Sequence, residues 1–84
     1  MTWLQPVSIE RLLDFAATHP GPFTGHTEEA ARRDLGISGI RYLQLLRRAI
    51  DTEDALRHDP QTTHRLRREA DRRASIREAR TAGH

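Results

Sequence analysis

The sequence predicts an all-α protein, with a three-helix helix-turn-helix core followed by a long Arg-rich C-terminal helix. Three observations predict it. Apolar residues between positions 8 and 50 recur at helical spacing, not in the alternation of half-buried strands. A Leu35-Gly36-Ile37-Ser38 corner joins two of these segments without a long linker. Residues 60–80 start at Asp59-Pro60, a cap followed by a proline in the first helical position, and then continue without a breaker.

The elements follow in order. After an apolar lead at Trp3, Leu4 and Pro6, Ser8 caps a first helix over residues 8–18, with Ile9, Leu12, Leu13 and Ala16 in helical register and Phe15 flanking them. His19 to His26 contains two prolines and two glycines and reads as a loop, with Phe23 tucked back onto the core. Thr27 caps a second helix that Glu28 and Glu29 favour by facing the positive end of its dipole. That helix ends at Leu35, where Gly36 takes a left-handed backbone, Ile37 enters the core and Ser38 caps the next helix.

The third helix, residues 39–50, places Tyr42, Leu43, Leu45, Leu46, Ala49 and Ile50 on one broad side and Ile40, Arg41, Gln44, Arg47 and Arg48 on the other. Residues 51–58 form a connection with one helical turn anchored by Leu56, completing a helix-turn-helix unit over 1–58. The fourth helix and tail, 59–84, offer only Leu66, Ala70, Ala74 and Ile76 as apolar positions, so the distal half is expected to project or fray.

Size and composition narrow the function. A chain of 84 residues buries about 60–65% of its unfolded surface, enough for one domain. With 36% hydrophobic residues, one Trp, one Tyr and two Phe, it can fill a small core but not wall a substrate cavity, so no enzyme activity is expected. No cysteine is present, no apolar run approaches the ~20 residues of a membrane span, and the first residues lack the basic start and apolar core expected of a signal peptide. The expected location is the cytoplasm, with no membrane association. The five histidines have no ligand spacing, and no Gly-rich phosphate loop or nucleophile elbow occurs, so no metal, cofactor or small-molecule ligand is expected.

All 14 basic residues are Arg, a bias that GC-rich coding explains, so only their placement carries information. Residues 1–56 hold 6 Arg against 8 Asp and Glu, a balance of −2, whereas residues 57–84 hold 8 against 4, a balance of +4. A helix-turn-helix with this charge is expected to bind double-stranded DNA. The third helix then docks in the major groove and Ser38, Gly39, Ile40, Arg41 and Gln44 meet base edges, Arg preferring guanine, Gln adenine, and Ile40 a thymine methyl. Arg32, Arg33, Arg47, Arg48, Arg65, Arg67, Arg68, Arg72 and Arg73 are the expected phosphate contacts.

Two other readings compete. Glu69 is spaced to pair with Arg65 and Arg73, and Asp71 with Arg67 and Arg68, which would make the fourth helix a self-neutralised solvent helix. The same charges would serve a protein-interaction module, such as a phage-encoded modulator of host transcription machinery, lying on an acidic partner surface. One recognition helix reads few bases, so specific regulation calls for a homodimer or cooperative arrays, with Trp3, Leu4 or the edge of the fourth helix as the apolar seam.

The segment Gly36-Ile37-Ser38-Gly39-Ile40-Arg41-Tyr42-Leu43-Gln44-Leu45-Leu46, with Ile50-Asp51, Asp59-Pro60 and Arg65-Leu66-Arg67-Arg68, resembles a family of small actinobacterial and actinobacteriophage helix-turn-helix proteins. That family was long known only as a domain of unknown function and includes a mycobacterial nucleoid-associated protein. The resemblance extends to Leu13-Asp14-Phe15 and spans about residues 8–80. It implies duplex DNA binding in transcription regulation or nucleoid architecture, with an Arg-rich C-terminal helix that holds DNA. Ser38, Arg41, Tyr42 and Gln44 coincide with the family motif. Ile40 stands where the family has threonine, Leu43 replaces a second tyrosine, and Ala16 and Ala17 replace an aromatic-rich end of the first helix.

Overall fold

A computed structural model describes residues 7–82, which form five α-helices and no strand. Trp3, Leu4, Pro6 and His84 lie outside the described residues. The Ser8 hydroxyl accepts the Arg11 N–H at 3.1 Å and starts α1, Ile9–Thr18, which buries Leu12, Leu13, Phe15 and Ala16. The helix ends where the His19 ring stacks on Phe15 with centroids 4.1 Å apart.

The second helix, α2, spans Gly25–Leu35 and begins earlier than its sequence suggests. Its cap is Thr24, not Thr27. The Thr24 hydroxyl accepts the Thr27 N–H, and the Thr27 hydroxyl accepts the Thr24 N–H at 3.3 Å, so two orphan amides are satisfied reciprocally where a cap at Thr27 would satisfy one. Ala30 and Ala31 are buried, while Arg32 and Arg33 point outward. Gly36 then adopts φ +71°, a left-handed conformation that costs a side-chain-bearing residue about 1–2 kcal/mol. Ile37 packs half-buried against the core, and Ser38 accepts the Arg41 N–H at 3.1 Å to open α3, Gly39–Ala49.

The corner is tight at Gly39. A Cβ there would come within 2.6 Å of Phe23 Cζ and 2.9 Å of Glu28 Cγ, so glycine lets α2 and the loop close over the start of α3. Phe23 does fold back, stacking on Tyr42 at 6.4 Å, yet its outer edge remains 36% exposed. Tyr42, Leu46, Ala49 and Ile50 point into the core, and Leu43 stays at its margin, 38% exposed.

The connection after α3 holds α4, Glu53–His58, capped by the Thr52 hydroxyl. Its anchor is Ala55, fully buried, and not Leu56, which is half-buried. A methyl suffices because the final helix comes close: the buried Thr63 hydroxyl donates to the Ala55 carbonyl at 3.0 Å. That helix, α5, runs Pro60–Ala82 after Asp59 caps it by accepting the Thr62 N–H at 3.0 Å.

The first three turns of α5 belong to the core. Thr62 and Thr63 are buried, Leu66 and Ala70 half-buried, and every residue from Asp71 to Ala82 is exposed, including the expected packing residues Ala74 and Ile76. The distal part therefore projects as an arm, and it stays helical to Ala82. The projection stretches the molecule to 53 × 28 × 24 Å. Among the described residues no helix is long and apolar enough to cross a membrane.

Candidate nucleic-acid interface

At 100° per residue, burying Tyr42, Leu46, Ala49 and Ile50 forces Ile40, Arg41, Gln44, Arg47 and Arg48 onto the opposite side of α3. All five are exposed, Ile40 at 71%. The helix contains no Asp or Glu, so the polar side chains of this face are all cationic or amide, with Ile40 as its one apolar member. Arg41 Nη1 approaches Gln44 Oε1 at 3.5 Å, which directs the two side chains together into solvent. The Ser38 hydroxyl is occupied as the cap of α3, and Gly39 is buried beneath Phe23 and Glu28. Of the five expected base-reading residues, Ile40, Arg41 and Gln44 form the open surface. Ser38 and Gly39 set the angle at which it is presented.

The α3 face does not stand alone. Ile40, Gln44 and Arg47 line one side of a groove of about 350 Å³, and Glu69, Arg73 and Arg77 of α5 line the other, over a floor that includes Leu43, Leu46 and Leu66. Helical phase explains the alignment. Arg73, Arg77 and Arg80 continue the line of Thr62 and Leu66 that faces the core, so once the core ends they project on the same side as α3. Asp71 and Glu78 share the opposite side. Arg68 also lies on the far side, and Arg72 faces the Gly21-Pro22 loop.

A protein-family model matches residues 5–78, most of the chain; it is described as DUF3263, a protein of unknown function. The chain belongs to the DUF3263 family. No curated protein and no solved structure matches it.

The remaining arginines of this DUF3263 protein divide into used and unused. None of the pairs expected of Glu69 with Arg65 and Arg73, or of Asp71 with Arg67 and Arg68, is among the ion pairs of the described residues. Arg65 and Arg67, expected on phosphates, turn inward instead. Arg65 Nη2 donates to the Ala16 carbonyl in the last turn of α1 at 3.2 Å, and Arg67 Nε donates to the Ile50 carbonyl that closes α3. Each guanidinium thus sits at the negative end of another helix; Arg67 satisfies a carbonyl left over by the end of α3, and Arg65 adds a second donor to the Ala16 carbonyl, which already accepts the His19 N–H. The Arg65 Nε is buried without an acceptor.

On α2, Arg32 pairs with Glu28 at 3.4 Å and Arg33 with Asp34 at 3.1 Å, so a phosphate would compete with a carboxylate at both. Arg41, Arg47, Arg48, Arg73, Arg77 and Arg80 have no carboxylate partner among the described residues. Behind this surface Tyr42 is held neutral, its phenol pushed up to about 12 by burial against a smaller opposing pull from Arg65.

Sequence reasoning missed three polar ties. They are the Thr63 bond to Ala55, Arg11 Nη2 donating to the Asp34 carbonyl at 2.7 Å, and His58 Nε2 lying 2.7 Å from Asp14 Oδ1. All three join residues distant in sequence or on different helices, and no local spacing signals such a contact. The Arg65 and Arg67 ties had one faint signal, in that the two residues flank Leu66, the apolar position that faces the core.

Proposed function

We propose that this protein binds double-stranded DNA, with α3 in the major groove and the α5 arm along the phosphate backbone. The observation that carries the reading is the shared groove. The α3 face, which combines Arg and Gln with no acid, opens onto a groove whose far side carries Arg73 and Arg77 beside Glu69, and Arg80 continues that side of α5 by helical phase. Arg41 and Gln44 have the reach and donor geometry for base edges, and Ile40 offers a methyl-sized apolar contact suited to thymine. Arg47, Arg48 and the arm supply phosphate contacts, while Arg32 and Arg33 contribute only by exchanging a carboxylate for a phosphate. A transcriptional or nucleoid-architectural role in the cytoplasm follows from such binding, with no cofactor and no catalytic step. Sequence-specific regulation would need a homodimer or a cooperative array.

The test is a titration of labelled duplex at two salt concentrations. Affinity should fall steeply as salt rises, because each phosphate contact releases a counterion. Arg41→Ala with Gln44→Ala should abolish sequence preference while leaving much of the salt dependence. No duplex binding at low salt by the folded chain would overturn the proposal. That result would favour a second reading, supported by the apolar floor at Leu43, Leu46 and Leu66, in which the groove takes a helix of an acidic protein partner.

A further inference from the structure

We propose that Ser75 on the α5 arm is a phosphorylation site for a serine/threonine kinase whose substrate cleft is acidic, and that its modification cancels the positive charge of the arm. The local sequence is Arg72-Arg73-Ala74-Ser75-Ile76: two guanidinium groups three and two residues before a hydroxyl, and an aliphatic residue directly after it. A kinase with carboxylates at the corresponding subsites would hold the arginines through charge-assisted, bidentate bonds and seat Ile76 in an apolar pocket. No other serine or threonine of the described chain has two arginines in these positions.

The fold presents this segment for modification. Ser75 is exposed, and Ile76 is 51% exposed although it is one of the largest apolar side chains of the arm. A kinase needs its substrate extended, so the helix must open locally. From Asp71 onward α5 buries nothing, and an isolated helix of that length is marginal in water, so opening the arm leaves the core untouched. Ser75 also lies on the side of the helix away from Arg73, Arg77 and Arg80, next to Asp71 and Glu78. The reaction is a phosphoryl transfer. Ser75 Oγ attacks the γ-phosphorus of ATP, the bond from that phosphorus to the β,γ-bridging oxygen breaks, ADP leaves, and the hydroxyl proton passes to the catalytic aspartate of the kinase.

The consequence is electrostatic. Over residues 71–82 four arginines stand against Asp71 and Glu78, a net charge of +2. A phosphoserine adds about −1.5 to −2 at pH 7 and so brings the arm close to neutrality. It would pair with Arg72, one turn away, and repel Asp71 and Glu78, loosening the arm as well as discharging it. The DNA consequence rests on the function proposed above, but the modification itself does not.

The full-length chain is incubated with ATP and the catalytic domain of an arginine-directed serine/threonine kinase. Tandem mass spectrometry should find one phosphoryl group on Ser75, absent in Ser75→Ala, and the product should leave a cation-exchange column at lower salt. If the chain binds duplex as proposed, the modified form should bind about tenfold or more weakly near 0.1 M salt, with a log–log salt slope smaller by about 1–2. A synthetic peptide of residues 69–80 that is phosphorylated while the intact chain is not would overturn the proposal, as would a modified chain whose elution is unchanged. Modification with the expected elution shift, in a chain that never binds duplex, upholds the site and removes only the DNA-binding proposal.

Discussion

The arm makes a quantitative claim that substitution can check. Arg73, Arg77 and Arg80 span eight residues of α5, seven steps or about 10 Å at 1.5 Å per residue, a length from which the three side chains can reach about three phosphates of one strand. Replacing all three with Gln removes three charges while keeping side chains of similar length and helix propensity. Because residues 71–82 bury nothing, the fold should be indifferent, with stability changed by less than about 0.5 kcal/mol. Binding should not be. Each lost phosphate contact lowers the slope of log K against log salt by about 0.9, so the triple variant should lose about 2.7 in slope and roughly 10- to 500-fold in affinity near 0.1 M salt. The assay is fluorescence anisotropy of labelled duplex over a salt series, with a melting curve as the control for folding. Arg68→Gln with Arg72→Gln removes two charges from the other sides of the same helix and should lower the slope by much less. A triple variant with the parental slope, or a far-side pair that costs as much per charge, would refute the assignment of the stripe to the backbone.

Three further outcomes test the fold that positions this surface. Thr63→Val keeps the side-chain volume but removes one of the two donors to the Ala55 carbonyl, which retains the Asp59 N–H, so it should cost about 0.5–1.5 kcal/mol and lower the Tm by roughly 2–12 °C in a thermal melt. Gly36→Ala forces a Cβ into the φ +71° conformation and should cost about 1–2 kcal/mol; an unchanged Tm would mean that the turn between α2 and α3 can take another form. The hydrogen bond to Asp14 raises the pKa of His58 above its ordinary 6.5. A pKa raised on folding stabilises the protein below the unfolded value, and that stabilisation is lost as pH rises through the folded one. Between about pH 6 and pH 8 the Tm of the parent should therefore fall relative to His58→Gln, and parallel curves would contradict the pairing.

The parts of this fold legible in the sequence are those set by contacts within a turn or two. Ser8, Ser38 and Asp59 each cap the helix that their position implies, Gly36 takes its left-handed backbone, and the period of Tyr42, Leu46, Ala49 and Ile50 fixes which side of α3 faces out. The start of α2 is not legible because Thr24 and Thr27 obey the same capping rule, and only the reciprocal bond between them decides which is the cap. Hydrophobicity points to Leu56 as the anchor of α4 because it ranks Leu above Ala55. The close approach of Thr63 reverses that order, and no local pattern encodes how near α5 will come.

The arginines show the same division most clearly, and it bears directly on function. Composition shows where positive charge accumulates along the chain but not which charges remain free, since a guanidinium can serve a phosphate or a helix terminus equally well. Arg65 and Arg67 are consumed by the carbonyls of Ala16 and Ile50, and that depends on where α1 and α3 end relative to α5. What survives is decided by phase. The buried line expected over Leu66, Ala70, Ala74 and Ile76 stops short, since its last two residues are exposed beyond the core. With Thr62, Thr63, Leu66 and Ala70 as that line, Arg73, Arg77 and Arg80 fall into one stripe with Asp71 and Glu78 behind it. Thr62 and Thr63, which hydropathy marks as surface residues, complete the buried line with Leu66 and Ala70, and that line fixes the direction of the arm's field because it is the side of α5 that the core accepts.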